Sequence, residues 1–156
     1  SKERTFSEDT LDMKFIRSML GAMVDELAFD LRQDARLTSC ITVKIRYADF
    51  NTFTKQRRIS YTAQTRTLIA HALELFTDVY ERRQLIRLIG IKFSGLVNGN
   101  IQLDLFDNTE EEISLLQQLD HIRRRWGKSS VGWANFNMKA KAGAKAEAKT
   151  KAKEKD

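Results

Sequence analysis

The sequence predicts an α+β fold in which a four-stranded sheet carries two helices on one face. Two stretches have apolar residues every three or four positions, as in a helix, and the segments around them alternate apolar and polar residues, as in a strand. The predicted order is strand, helix, strand, strand, helix, strand. This is the split β-α-β-β-α-β arrangement, whose sheet buries one face under two helices and leaves the other free. The free face is therefore the first place to look for function.

The first three predicted elements run to residue 47. Residues 1–7 are extended in character, and residues 10–31 have the spacing of a helix. The apolar stripe of this helix consists of Ile16, Met19, Leu20, Met23, Val24, Leu27 and Leu31. Residues 40–47 (CITVKIRY) alternate cleanly, which places Ile41, Val43 and Ile45 on the core face of a half-buried strand.

The next three elements follow a polar connection at residues 49–52. Residues 53–61 form a predicted strand rich in threonine, arginine and aromatic residues. Its two cations Lys55 and Arg57 share the phase of the apolar residues, so a bulge is needed to turn one of them outward, and their side is left open. Residues 65–80 then repeat the helical pattern, and residues 85–96 form the last predicted strand.

Beyond the sheet domain, assigned to residues 1–97, three further segments are predicted. Residues 98–108 form a connector that contains a short apolar peptide. Residues 109–138 form a helix with an extension, and residues 139–156 form a disordered Lys/Ala tail. The tail has no large apolar residue, so it cannot bury enough surface to offset the entropy lost on ordering.

The additional helix opens with a capping-box pattern at residues 109–112 (TEEE) and is predicted to end at Gly127. Its larger apolar residues fall on one side. They are Leu115, Leu116, Leu119, Ile122 and Trp126. The sequence does not indicate what this side packs against.

The composition, with 31% charged and 42% hydrophobic residues, predicts a soluble protein. No stretch approaches the roughly 18 apolar residues of a membrane span, and no signal-peptide core is present, so we expect an intracellular protein without a membrane partner. The single Cys40 cannot form an internal disulfide, and His71 and His121 lack zinc-ligand spacing. Residues 139–156 supply +4 of the net charge of +6, so polyanion binding must be inferred from where the other cations lie.

The free sheet face is predicted to combine cations with hydroxyl groups. Its members are Thr42, Lys44, Arg46, Arg58, Ser60, Lys92 and Ser94. Lysine and arginine neutralise phosphates, and hydroxyl groups position phosphate oxygens through hydrogen bonds. An RNA-recognition module shares the topology but needs aromatic side chains on this face, whereas Phe53 and Phe93 are predicted to face the core. The pattern favours phosphate binding, and the alternative for each cation is a solvated side chain.

Residues 102–106 read QLDLF, directly after the glycine-punctuated end of the last strand. An extended peptide of this kind can bury alternate apolar side chains in a groove while one amide sets its register. The predicted docking residues are Gln102, Leu103, Asp104, Leu105 and Phe106, with the last two as anchors. The alternative is an edge strand in which Leu103 and Leu105 alternate and Phe106 closes the core.

Four segments carry a resemblance to a known family: residues 3–6 (ERTF), 42–50 (TVKIRYADF), 86–91 (IRLIGI) and 94–96 (SGL). With these motifs, the element order and the QLDLF peptide, the chain resembles the C-terminal region of a Y-family translesion DNA polymerase of the bacterial DNA polymerase IV type. The resemblance implies that residues 1–97 are a little-finger domain, whose sheet lies in the DNA major groove and holds both strands through their backbones. It also implies that QLDLF binds the replication sliding clamp.

The resemblance places DNA-backbone contacts on several strand residues. They are Lys44, Arg46, Lys55, Arg57, Arg87 and Lys92. The strand pattern adds Arg58 and Ser94 to the expected DNA-binding set. Lys92 departs from the family pattern, because bacterial relatives more often have glycine at this position.

The resemblance further implies that a catalytic palm, fingers and thumb precede Ser1 and use Mg²⁺ for nucleotidyl transfer. That reaction needs paired carboxylates holding two metal ions about 4 Å apart, and no such pairing is evident here, since the acids at residues 110–112 are explained by a helix N-terminus. We therefore expect no catalytic residue, cofactor or metal in this fragment. The expected partners are double-stranded primer–template DNA and the sliding clamp, bound by a monomer in the bacterial cytoplasm at the nucleoid.

Two other functions remain open. One is a stand-alone ferredoxin-like nucleic-acid-binding or interaction module whose lysine tail supplies general affinity for polyanions. The other, a small-molecule enzyme, is the weakest reading, because the sequence shows no nucleophile with a neighbouring base and no glycine-rich phosphate loop.

Overall fold

A computed structural model describes residues 1–81, 83–99, 110–127 and 130–131, without the side chains of residues 110–113. The elements in chain order are β1 (Lys2–Thr10), α1 (Met13–Gln33), β2 (Arg36–Tyr47), β3 (Thr52–Thr62), α2 (Thr65–Val79), β4 (Ile86–Ser94), β5 (Val97–Asn98) and α3 (Glu110–Trp126). Among these helices, none is long and apolar enough to cross a membrane.

The sheet has the strand order β1-β4-β2-β3, and all of its pairings are antiparallel. This confirms the predicted order of four strands and two helices. The two-residue β5 pairs with the start of β2, where Val97 lies opposite Leu37. It lies at the predicted boundary between the sheet domain (residues 1–97) and the connector (residues 98–108).

The core lies between the sheet and helices α1 and α2. The side chains of Ile41, Val43 and Ile45 are fully buried, as their alternation predicts. The apolar stripes of the helices cover them, with Leu20 of α1 and Leu68 of α2 also completely buried. Each such side chain contributes about 1.5–3 kcal/mol through removal from water, so this layer is the main source of stability.

Helix α1 starts three residues later than its apolar pattern suggests. The carboxylate of Asp12 accepts a hydrogen bond of 3.0 Å from the backbone N–H of Phe15, which makes Asp12 the N-cap. Thr10 belongs instead to β1, where it pairs with Ile86. The helix-capping interaction therefore sets this boundary.

Helix α3 packs on α1 through a ridge that is mostly charged. Leu116, Asp120 and Arg123 are its buried side chains among those described. The carboxylate of Asp120 accepts hydrogen bonds of 2.6 and 2.9 Å from Arg32. Arg123 donates hydrogen bonds of 3.1 and 2.6 Å to the carboxylate of Asp25. Two buried ion pairs thus join α3 to α1.

The apolar side of α3 faces largely outward. Leu115, Ile122 and Trp126 are 50%, 37% and 71% exposed, respectively. Leu116 is buried, and it packs on the same side as the charged ridge. Of the apolar residues expected to share one side, Leu116 is buried. The other buried side chains described on this helix are the charged Asp120 and Arg123. Its predicted end is confirmed at Gly127, which has φ +96°.

Candidate nucleic-acid interface

The register of β2 with its neighbours β3 and β4 determines the composition of the open sheet face. Residues paired across neighbouring strands project to the same side of a sheet. Thr42 on β2 lies opposite Gln56 on β3 and opposite Lys92 on β4. Lys44 in the same way lies opposite Thr54. Because Ile41, Val43 and Ile45 face the helices, these rows face away from the core.

Five of the residues expected to bind DNA lie on this open face. They are Lys44, Arg46, Arg58, Lys92 and Ser94. Arg58 and Ser94 flank Cys40 on its two sides, so cations, hydroxyl groups and one thiol share the surface. Phe53 and Phe93 pack with the core, as predicted. The regular part of the open face therefore carries no aromatic side chain among the residues described.

The cations on this face differ in their partners. The Nζ of Lys44 lies 2.9 Å from Glu3 Oε1, and the Nε of Arg46 donates a hydrogen bond of 2.9 Å to Thr52 Oγ1. Within the described part of the chain, neither Arg58 nor Lys92 has a carboxylate partner within 4.0 Å. Both side chains are exposed and can accept a phosphate without first breaking an ion pair.

Lys55 and Arg57 lie on the opposite side of the sheet, facing α2. Arg57 forms ion pairs with Glu74 and with Asp78, the latter at 3.3 Å, and the Nζ of Lys55 lies 3.6 Å from Asp78. The register between β2 and β3 is continuous from Cys40 to Arg46, so no bulge turns either cation outward. Lys55 and Arg57 therefore lie on the helix side of the sheet. The sequence-based expectation had grouped them with the open-face residues in one DNA-binding set.

Arg87 lies at an irregularity near the start of β4. The register between β2 and β4 shifts after the pair Arg46 and Leu88. The guanidinium of Arg87 lies 4.7 Å from the centre of the Phe50 ring and 3.7 Å from the Asp9 carboxylate. The residue therefore lies at the end of the sheet next to the β2–β3 hairpin.

The other end of the open face forms a hollow of about 610 Å³. Its lining residues are Ser39, Cys40, Gln56, Arg58, Ile59, Tyr61, Ser94 and Gly95. Tyr61 is 56% exposed, and it is an aromatic residue that the sequence analysis did not assign to this surface. The register shift between Thr38 and Cys40 breaks the simple alternation there, so the sequence pattern could not place it.

Two other expected features lie outside the described residues. These are the QLDLF peptide at residues 102–106 and the basic tail at residues 139–156. Both stay predictions from the sequence. Within the described residues, no three His, Cys, Asp or Glu side chains come together as metal ligands.

Comparison with known proteins adds independent findings. The impB/mucB/samB family C-terminal domain matches residues 1–105. DNA polymerase IV of Dehalococcoides mccartyi strain BAV1 is 32% identical over 133 residues, which cover 84% of this chain and 34% of that protein. DNA polymerase IV of Opitutus terrae is 31% identical over 133 residues, with the same coverage of 84% and 34%. The chain therefore spans about a third of the length of these curated relatives.

Solved structures show the same fold. DinB from Sulfolobus solfataricus gives a TM-score of 0.53 at 20% identity, covering 64% of this chain and 28% of that one. The little finger domain of PolIV, solved in a complex with the β-clamp processivity factor, gives 0.50 at 22% identity, covering 69% of this chain and 96% of that one. These matches confirm the resemblance stated from the sequence motifs. The chain belongs to the impB/mucB/samB family C-terminal domain.

Proposed function

We propose that this chain grips DNA without sequence preference and tethers an error-prone translesion DNA polymerase to the replication sliding clamp during DNA damage tolerance. The observation that carries the proposal is the open sheet face, where Lys44, Arg46, Arg58 and Lys92 project among hydroxyl groups on three adjacent strands. Membership of the family supports it, as do relatives named DNA polymerase IV.

The chemistry of the open face suits a phosphate backbone. Strands about 4.8 Å apart, with same-face residues about 7 Å apart along each strand, present the cations as a two-dimensional array. Lysine and arginine release counterions when they contact phosphates, and this contribution is independent of base sequence. Because the regular part of this face has no aromatic side chain among the described residues, base stacking contributes little there.

The proposed tether adds a second, separate attachment. If residues 102–106 occupy a groove on the clamp while the sheet holds DNA, each contact raises the effective concentration of the other. Two weak contacts then retain the polymerase at a primer end, and either can still dissociate quickly. The neighbouring structure of a PolIV little finger with the β-clamp processivity factor supports this part of the proposal.

Catalysis belongs to the rest of such a polymerase under this proposal. The Mg²⁺ ions of nucleotidyl transfer would be held by carboxylates of the catalytic part, which supply the charge that stabilises the transferred phosphate. The residues described here contribute positioning of the duplex. A location in the bacterial cytoplasm, at the nucleoid, follows from the proposed partners.

Replacing Arg58 and Lys92 with alanine is expected to weaken binding to a 20-base-pair duplex by about tenfold or more, and to lower the slope of log K against log salt by about 0.9 for each lost phosphate contact. Both side chains are exposed, so folding should be unaffected. Fluorescence anisotropy at several salt concentrations measures both quantities, in a protein that ends at residue 138 so that the tail lysines do not contribute.

A matched control removes the same charge from the opposite side of the sheet. Lys55→Ala with Arg57→Ala should leave DNA affinity nearly unchanged, because these cations face α2 and its carboxylates. Equal losses in the two double variants would mean that only net charge matters. Binding that disappears when residues 139–156 are removed from the unaltered protein would favour a general polyanion-binding tail.

Cys40 offers a chemical test of the same surface. It is the only cysteine in the sequence and lies between Arg58 and Ser94 on the open face. Bound duplex DNA is expected to slow its alkylation by a maleimide severalfold, and high salt should restore the rate because the complex dissociates. Mass spectrometry of timed samples measures the rate. Protection that is absent at saturating DNA would place the duplex elsewhere on the protein.

A further inference from the structure

Phe50 has a backbone conformation that a bulky side chain rarely adopts. Its φ is +64°, in the left-handed region where glycine or asparagine is usual. The turn around it holds this conformation, since the Phe50 N–H donates a hydrogen bond of 3.0 Å to the carbonyl of Tyr47. The Asp49 carboxylate accepts hydrogen bonds of 3.0 and 2.7 Å from the backbone and side chain of Asn51. The turn therefore fixes the direction of the Cα–Cβ bond of Phe50.

Burial does not account for this ring. Phe50 is 65% exposed and is absent from the described core, so the unfavourable φ is not offset by removal of the ring from water. A strained residue that the surrounding structure holds in place is a reason to ask what its side chain does. The ring contacts Arg87, whose guanidinium carbon lies 4.7 Å from the ring centre.

Arg87 is held on two sides and remains accessible. The Phe50 ring lies on one side of the guanidinium, and the Asp9 carboxylate lies 3.7 Å away, while 40% of the arginine side chain is exposed. A guanidinium that stacks on an aromatic ring keeps N–H donors along its edge, and these donors suit the oxygens of a phosphate. Stacking also reduces the rotational freedom that an exposed arginine would lose on binding.

This pair lies at the same end of the sheet as Arg46. Arg46 lies opposite Leu88 across the sheet, and Arg87 is the next residue on that strand, where the register becomes irregular. The guanidinium therefore lies at the hairpin end of the sheet, one residue along β4 from the strand partner of Arg46. We propose that Phe50 is a positioning residue that holds Arg87 for a DNA phosphate at this edge, an inference that rests on the proposed DNA-binding function.

The test compares Phe50→Gly, Phe50→Tyr, Arg87→Ala and the combination of Phe50→Gly with Arg87→Ala in the full chain. Glycine relieves the unfavourable φ, so the first variant should have an unchanged or higher Tm. It should nevertheless bind duplex DNA severalfold more weakly in fluorescence anisotropy, to about the same extent as Arg87→Ala. The tyrosine variant should bind like the unaltered protein, and the combined variant should be no weaker than Arg87→Ala alone.

Three results would overturn the inference. One is unchanged DNA affinity in Phe50→Gly, and another is a combined loss equal to the product of the two separate losses. The third is unchanged DNA affinity in Arg87→Ala when the Arg58 and Lys92 double variant binds DNA more weakly. That third result would leave the proposed function intact. If the Arg58 and Lys92 double variant also binds normally, the proposed function fails together with this inference.

Discussion

Replacing Leu105 and Phe106 together with alanine is expected to abolish measurable binding of this chain to a bacterial sliding clamp. Leucine and aromatic anchors that enter a dry pocket carry most of the affinity of a small interface, and truncation of each hot-spot residue costs about 2 kcal/mol or more. Two such losses reduce a micromolar affinity to the millimolar range, where calorimetric titration detects no heat. The expected stoichiometry before substitution is one peptide per clamp groove.

The matched control removes one leucine and one aromatic side chain from exposed positions on a different segment, α3. Leu115→Ala with Trp126→Ala affects side chains that are 50% and 71% exposed on α3, and clamp affinity should be unchanged. Loss of binding in this control would assign clamp docking to α3. If the Leu105 and Phe106 variant binds normally but has a lower Tm, the edge-strand alternative for residues 102–106 would be favoured.

The strand pattern predicts the topology well because burial on one face leaves a clear period of two. Residues 40–47 alternate without interruption, so the core positions of β2 and the outward direction of Lys44 and Arg46 follow from sequence alone. The last strand is equally clear, and Lys92 projects as expected. These are the positions at which local pattern and sheet register agree.

The strand pattern left open the side of the sheet on which the β3 cations lie. Lys55 and Arg57 have the phase of core residues, and only a bulge could turn one of them outward. Their partners Glu74 and Asp78 lie four residues apart on α2, which puts both acids on one helix face near the sheet. This spacing was a usable signal that the two cations face the helices.

The packing of α3 could not be predicted from its own sequence. Asp120 and Arg123 are normally solvent-facing residue types, and their partners Arg32 and Asp25 lie far away in the chain. An apolar-stripe analysis therefore includes the buried Leu116 but misses Asp120 and Arg123, the other buried side chains described on this helix. The φ of Phe50 is likewise hidden, because it results from turn hydrogen bonds that no residue preference predicts.

Replacing Arg123 with alanine is expected to detach α3 from α1 while the sheet and its two helices stay folded. The substitution leaves the Asp25 carboxylate buried without its partner, and an unpaired buried charge of this kind costs about 3–5 kcal/mol. Leu116 is the buried apolar side chain of α3 among those described, and the Arg123 guanidinium lies 5.8 Å from the buried Phe29 ring, so we expect this small apolar contact not to offset that cost. Dissociation of α3 returns Asp25 to water. Hydrogen exchange should show α3 amides losing protection while β2 amides keep theirs.

Two further variants separate the ion pair from general effects on the helix. Arg124→Ala changes the adjacent, exposed arginine and should leave exchange of α3 unchanged. Replacing Asp25 and Arg123 together with leucine removes both charges, and because a hydrophobic pair of similar volume is often as stable as a buried ion pair, protection of α3 should return. If Arg123→Ala alone leaves α3 protected, the pair does not hold the helix in place. If the double leucine variant stays detached, the hydrogen bond of 2.9 Å from Arg123 Nε to the Val131 carbonyl is the more important contact.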